Sequence, residues 1–207
     1  MKRKIILIIL VFLFNIIWVN AISVTNALAS HYNIIIKTDN KTNLNNTVIM
    51  EELDFMLQTD LTYNDEDAII IGKKIDNYLK NEMLGKGELI AKYSIVNEVN
   101  PYLVAAILTE ATSCDTKCSI LVTKCNNVYK AIYDKENMSQ ASCFGGSYQK
   151  FNSIDDSIKS FIKYVKTNFY DKELTTPGTI YKSYKKDVRW AFQVNQYIDK
   201  IKNSKVE

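Results

Sequence analysis

One carboxylic acid lies where an apolar helical stretch ends, and it is the first candidate for chemistry. Asn100 is a favourable helix N-cap and Pro101 suits the first helical position, so a helix is predicted to begin there. Leu103, Ile107 and Glu110 then fall on one face at helical spacing. A carboxyl group at the end of an apolar face is desolvated, which favours its protonated form and allows proton donation to a glycosidic oxygen. The competing interpretation of Glu110 is a solvated surface residue.

Two asparagines and three tyrosines further along the chain could bind a sugar. The side-chain amides of Asn126 and Asn127 are suitable partners for N-acetyl groups, although asparagine is also common where helices and turns end. Aromatic faces combine apolar area with a polar group, and the candidates for stacking on sugar rings are Tyr148, Tyr181 and Tyr184. Trp190 falls on the apolar stripe of the last predicted helix, which favours a place in the core.

The cysteine and histidine content narrows the chemistry. All four cysteines lie in one stretch, which favours two disulfides in an oxidising compartment; they are Cys114, Cys118, Cys125 and Cys143. A four-thiolate zinc site is the alternative, but the paired C-x-x-C spacing typical of such sites is missing. His31 is the only histidine, so a histidine-based triad or a multi-histidine metal site is nearly excluded. We expect neither a metal nor a cofactor.

The first residues have the pattern of an export signal. A basic segment at residues 2–4 precedes an apolar run over residues 5–19. That run is shorter than a membrane span, which needs about 20 residues. Ala21 and Ala29 offer two cleavage sites, and an uncleaved N-terminal anchor would also place the remainder outside. We therefore predict a leader at 1–29, a spacer at 30–63 and one folded domain at 64–202, which is secreted or held at the cell wall or the extracellular face of the membrane.

Few chain-breaking residues interrupt the predicted domain. The 207 residues include 6 Gly and 2 Pro, which favours long helices. Caps and apolar stripes predict seven helices and one hairpin; the helices begin after Asn64 or Asp65, before Ile90, at Asn100, near Ile120, at Ser153, at Thr176 and before Trp190. The predicted class is α+β, mainly α. A net charge of +3, with lysines scattered among acids, argues against nucleic acid as a partner.

Four segments in order resemble the bacterial glucosaminidase domains of glycoside hydrolase family seventy-three. They are NPYLVAAILTEATSCDTKCSILVTKCNNVY, CFGGSYQKFNSIDDSI, LTTPGTIYKSY and DVRWAFQVNQYIDKI. In this resemblance Glu110 matches the family's general acid, and Asn126 and Asn127 match its paired cleft asparagines. Tyr184 matches a tyrosine that faces the catalytic glutamate.

The resemblance implies a lysozyme-like fold with a small β-hairpin region and activity on the β-1,4 glycan strands of peptidoglycan. Glu110 would be the proton donor, and a second carboxylate would come from the β region, where Asp134 and Glu136 are the acids. The alternatives are that these two are solvated loop charges and that the substrate's own acetamido group takes the place of a second acid. It implies no cofactor. We expect a monomer whose partner is peptidoglycan and which contacts a membrane only through the N-terminal segment.

The sequence departs from the family at two places. Ala111 follows Glu110 where the family has Thr and then Gly, and Lys130 lies in a loop where the family commonly has glycines. Two alternatives therefore stay open: a lytic transglycosylase, which uses one catalytic glutamate and no attacking water, and a non-catalytic wall-binding module. The cysteine spacing resembles a disulfide-containing subgroup. Among the three connectivities, all still open, we favour Cys114 with Cys118 and Cys125 with Cys143.

Overall fold

The computed structural model describes residues 60–114, 116–136 and 141–206. The predicted leader at 1–29 and nearly all of the predicted spacer lie outside these residues. Within them the chain forms seven helices and two antiparallel two-stranded sheets, so the predicted class, α+β and mainly α, is confirmed. None of the helices in the described ranges is long and apolar enough to cross a membrane.

All seven helices predicted within the domain are present, together with the predicted hairpin. Helices α1 to α7 span Ala68–Asp76, Gly87–Val96, Pro101–Thr112, Ile120–Cys125, Ile154–Asn168, Pro177–Tyr184 and Val188–Lys202. Strands β1 to β4 span Thr62–Tyr63, Glu66–Asp67, Ala141–Cys143 and Tyr148–Lys150; β1 pairs with β2 and β3 pairs with β4. Short 3₁₀ turns lie at Asn81–Met83 and Tyr170–Lys172.

The core is built around α3. Ten of its 12 residues are buried, so its apolar surface extends all round instead of forming the single stripe that the sequence predicted. A helix that is apolar on every side belongs inside a fold. Thr109 and Glu110 are the two residues of α3 that are only partly covered. Helices α2 and α7 pack against α3, and α6 packs against α7.

Helices α1 and α2 pack closely because each carries a glycine where they meet. A Cβ atom at Gly87 would overlap the carbonyl oxygen of Gly72. The Gly87 N–H donates to Asp76 Oδ1 at 2.7 Å, which fixes the start of α2 on α1. Burial raises the pKa of the Asp76 carboxyl group, while the N–H groups of Gly87 and Gly85 act in the opposite direction.

Of the four helix starts for which the sequence indicated a capping residue, three are as predicted, at Asn100, Ser153 and Thr176. Asn100 Oδ1 accepts the N–H of Tyr102 at 3.0 Å, and Ser153 Oγ accepts the N–H of Asp156 at 3.0 Å. The prediction that Asn64 or Asp65 caps the first helix is wrong. Both residues are left-handed, with φ of 51° and 64°, and form the turn between β1 and β2. Asp67 is the cap, and its side chain accepts the N–H of Ile69 at 2.6 Å.

Two disulfides join the segments that follow α3. Cys114 pairs with Cys118, and Cys125 at the end of α4 pairs with Cys143 on β3. The favoured pairing is therefore confirmed. All four sulfur atoms are used in these bonds, so the alternative of a four-thiolate zinc site is excluded.

Candidate active site

Glu110 lies where the buried helix α3 reaches the surface, and its side chain is 22% exposed. Trp190 on α7 donates its Nε1–H to Glu110 Oε2 at 3.2 Å, and Lys185 Nζ lies 3.9 Å from the same oxygen. Among the described residues, none forms a hydrogen bond or ion pair with Oε1. One carboxylate oxygen is therefore held in place and the other is available to a ligand.

Trp190 is buried, as its place on the apolar stripe predicted, and it also orients the acid. Its ring packs against Tyr184, with ring centroids 5.2 Å apart. Tyr184 also packs against Phe169 with the two rings nearly perpendicular and their centroids 5.9 Å apart. Burial raises the pKa of the Tyr184 hydroxyl, and the nearby charge of Glu110 raises it further. That hydroxyl therefore keeps its proton at neutral pH and can donate a hydrogen bond.

Two cavities open beside these residues, and Lys185 lines both. The acid cavity, of about 520 Å³, is lined by Glu110, Lys185, Asp187, Arg189, Trp190 and Phe192. The hairpin cavity, of about 460 Å³, is lined by Tyr129, Lys130, Gln149, Tyr164, Tyr184 and Lys185. Lys185, Lys130 and Asp187 were not predicted as site residues. The only sequence signal for the two lysines was their closeness to Tyr184 and Asn127.

The two predicted asparagines hold the wall of the hairpin cavity. Asn127 is buried, and its Nδ2 donates to the carbonyl oxygens of Ala131 and Gln149, each at 2.9 Å. Its Oδ1 accepts the N–H of Ala131 at 2.9 Å. Asn126 ends α4 in a left-handed conformation and donates to the carbonyl oxygen of Phe151 at 3.1 Å. Both amides thus bind backbone groups and tie α4 to β4.

Tyr148 and Tyr181 do not join the other predicted site residues. Tyr148 lies on β4 opposite Cys143, and Tyr181 lies on α6, where its carbonyl oxygen accepts the N–H of Lys185 at 3.1 Å. Neither residue lines the acid cavity or the hairpin cavity. The aromatic side chains that do line the hairpin cavity are Tyr129, Tyr164 and Tyr184.

The predicted second acids also lie apart from Glu110. Asp134 and Glu136 are exposed, and Asp134 Oδ1 accepts the N–H of Glu136 at 2.9 Å. Neither lines one of the two cavities. Asp187 is the other carboxylate of the acid cavity, and it is bound by Arg189, whose side chain and N–H lower the pKa of Asp187. A charged second carboxylate is therefore present, but it is already paired.

Potential metal ligands come together at one place in the described ranges. Glu82 lies near Cys114 and Cys118, but both sulfur atoms are joined in a disulfide and cannot act as thiolate ligands. This group is therefore not a metal centre.

Comparison with known proteins adds no assignment. No protein-family model matches the chain, and no curated protein matches it.

Proposed function

We propose that this chain is a peptidoglycan hydrolase of the glucosaminidase type, with a lysozyme-like domain and Glu110 as its general acid. The observation that carries the proposal is the setting of Glu110. Glu110 is a partly buried carboxyl group at the end of the core helix α3. Trp190 holds one of its oxygens, and the group lines the acid cavity. Glycosidases require a carboxylic acid held in a defined orientation beside the scissile bond.

In the proposed reaction, Glu110 transfers its proton to the glycosidic oxygen, and the bond between that oxygen and the anomeric carbon breaks. The electron pair leaves with the oxygen, and positive charge develops on the sugar ring. Lys185 and the Trp190 N–H stabilise the carboxylate that forms on Glu110, because both already contact Oε2. The protonated hydroxyl of Tyr184, which lines the hairpin cavity, would serve as a donor for a sugar oxygen there.

The positive charge on the sugar needs a second group. Asp134 and Glu136 line neither cavity, and Asp187 is paired with Arg189. We therefore favour the substrate's own acetamido oxygen, which attacks the anomeric carbon as the bond breaks. This attack closes a five-membered oxazolinium ring on the sugar. Water then attacks the anomeric carbon and opens the oxazolinium ring, and its proton passes to Glu110. The enzyme thereby regains its starting state, and the sugar gains a reducing end.

The test compares Glu110→Gln with Glu173→Gln, a matched exposed glutamate that lines neither cavity. Glutamine keeps the shape and the acceptor for Trp190 but carries no proton to transfer. We expect Glu110→Gln to stay folded and to lose about 100 to 10,000-fold in the rate of release of reducing ends from purified peptidoglycan. Glu173→Gln should match the wild type. Wild-type activity in Glu110→Gln would contradict the proposal, and binding without cleavage by the wild type would favour the wall-binding alternative.

The absence of a second free carboxylate beside Glu110, among the described residues, also favours a lytic transglycosylase. That reaction shares the first proton transfer, after which the 6-hydroxyl of the sugar attacks its own anomeric carbon. Borohydride reduction of the products followed by mass spectrometry separates the two. Reduced glucosaminitol ends support hydrolysis, whereas anhydro-muramic ends, lighter by one water, identify the transglycosylase.

A further inference from the structure

The hairpin cavity carries positive charge, and its described lining includes no carboxylate. Lys130 and Lys185 are its charged residues, and Gln149 and three tyrosines complete the polar lining. Its volume of about 460 Å³ is in the range of small-ligand sites, which is about 300 to 1,000 Å³.

The backbone under Lys130 is held in place by hydrogen bonds. Asn127 clamps the far end of the loop at Ala131, and the N–H of Val128 donates to Ser157 Oγ on α5 at 3.0 Å. Lys130 itself is left-handed, with φ of 60°. The side chain therefore projects from a fixed point on the cavity wall instead of from a loose loop.

The two lysines differ in how far their charge is neutralised. Lys185 Nζ lies 3.9 Å from Glu110 Oε2, so the carboxylate of Glu110 partly neutralises its charge. Lys130 forms no ion pair with any carboxylate in the described part of the chain. Burial raises the pKa values of Tyr129 and Tyr164, so these hydroxyls add no negative charge at neutral pH. The cavity is thus suited to an anion.

We propose that the hairpin cavity is a subsite for a carboxylate carried by the glycan strand, held by Lys130 with Lys185. This inference rests on the proposed function. Lys185 borders both cavities, and in this proposal a strand whose linkage reaches Glu110 extends past Lys185, with the substituent of the neighbouring sugar beside Lys130. Peptidoglycan strands offer such a group from two sources, the lactyl carboxylate of muramic acid once the peptide is removed, or the carboxylates of the peptide itself. Chitin offers none.

The experiment measures binding by calorimetry to the full chain carrying Glu110→Gln, so that no ligand is cleaved. The ligands are a chitin oligosaccharide, glycan strands stripped of peptide, and strands that keep their peptides. Each is tested with Lys130→Gln, with Lys130→Arg, and with Lys150→Gln as a control from β4 outside both cavities. Lys130→Gly is added because glycine adopts the left-handed backbone of residue 130 without strain. A loss of binding in this variant is therefore due to the missing side chain and not to a distorted loop.

We expect Lys130→Gln and Lys130→Gly to weaken binding of a carboxylate-bearing strand by about tenfold and to leave chitin binding unchanged. Lys130→Arg should retain binding. Added salt should weaken strand binding by the parent protein more than strand binding by Lys130→Gln. A loss confined to stripped strands identifies the lactyl group, and one confined to intact strands identifies the peptide. Equal effects on chitin, or no effect of Lys130→Gln, would overturn the subsite but leave the proposed function standing. If the parent protein binds no glycan at all, the proposed function fails with it.

Discussion

Replacing Asn127 by alanine tests whether this asparagine positions the cleft wall or binds substrate. The side chain is 1% exposed and makes three hydrogen bonds of 2.9 Å to the backbone of Ala131 and Gln149. Truncation leaves two partly buried backbone groups unpaired, the Ala131 N–H and the Gln149 carbonyl oxygen, whereas the Ala131 carbonyl oxygen still accepts the N–H of Gln149 at 3.0 Å. Each unpaired group costs about 1 to 3 kcal/mol before the loop relaxes and admits water. Because the two losses lie on one wall, we expect them not to add fully and the free energy of unfolding to fall by about 3 kcal/mol.

The assay is urea unfolding with the disulfides intact, followed by peptidoglycan binding under conditions where the variant is folded. Asn126→Gly is the matched control: it keeps the left-handed end of α4 and removes partly exposed bonds of 3.1 Å, so its effect should be about 1 kcal/mol or less. Asn127→Asp should be as unstable as Asn127→Ala at neutral pH, because a carboxylate would face two carbonyl oxygens. Unchanged stability in Asn127→Ala with lost glycan binding would refute the positioning role.

Two further changes probe Glu110 and the α1–α2 contact. Trp190→Phe removes the N–H that donates to Glu110 at 3.2 Å but keeps an aromatic ring against Tyr184. We therefore expect kcat to fall about tenfold while the fold is retained. An unchanged kcat would mean that this hydrogen bond does not orient the acid. Asp76→Asn keeps the acceptor for Gly87 and removes a half-buried charge. Because the pKa of Asp76 is raised in the folded protein, the wild type loses stability as pH rises through that pKa. At pH 7, Asp76→Asn should therefore melt at the same temperature as the wild type or at a higher one, and any advantage should vanish below the usual aspartate pKa of about 4. If Asp76→Asn melted below the wild type at pH 7 but not at low pH, the predicted direction would be wrong.

The sequence predicted local features well because caps and turns depend on neighbours in the chain. Asn100, Ser153 and Thr176 cap the helices that their positions indicated. The first cap was misplaced because Asn64 and Asp65 are also favourable in tight turns, and the turn between β1 and β2 takes both. The burial of α3 on all sides was not predicted, since alanines on its second face fit either a surface or a core.

The candidate site was only partly predictable, because its contacts join distant parts of the chain. The bond from Trp190 to Glu110 spans 80 positions, and no periodicity or spacing signals it. Asp134 and Glu136 were proposed for their position in the β region. They lie in the segment between α4 and β3, and the side on which that segment faces depends on how it docks on β4, which it meets at the bridge between Ile132 and Tyr148. Asn127 was read as a ligand for N-acetyl groups, and its buried bonds to Ala131 and Gln149 appear only once those segments are brought together.

None of the six residues in strands β3 and β4 is fully buried, so the hairpin itself contributes little to the core. A pair of three-residue strands with exposed faces is marginal by itself. The disulfide between Cys125 and Cys143 closes this region over a separation of 18 residues, which contributes about 3 kcal/mol by limiting the unfolded chain. Asn127 acts on the same wall from inside through its three backbone bonds. Lys130 lies between the Cys125–Cys143 disulfide and the Asn127 bonds, so its flexible side chain extends from a backbone that is held in place. In the proposed subsite, that fixed backbone would let the charge of Lys130 distinguish strands that carry a carboxylate from strands that do not.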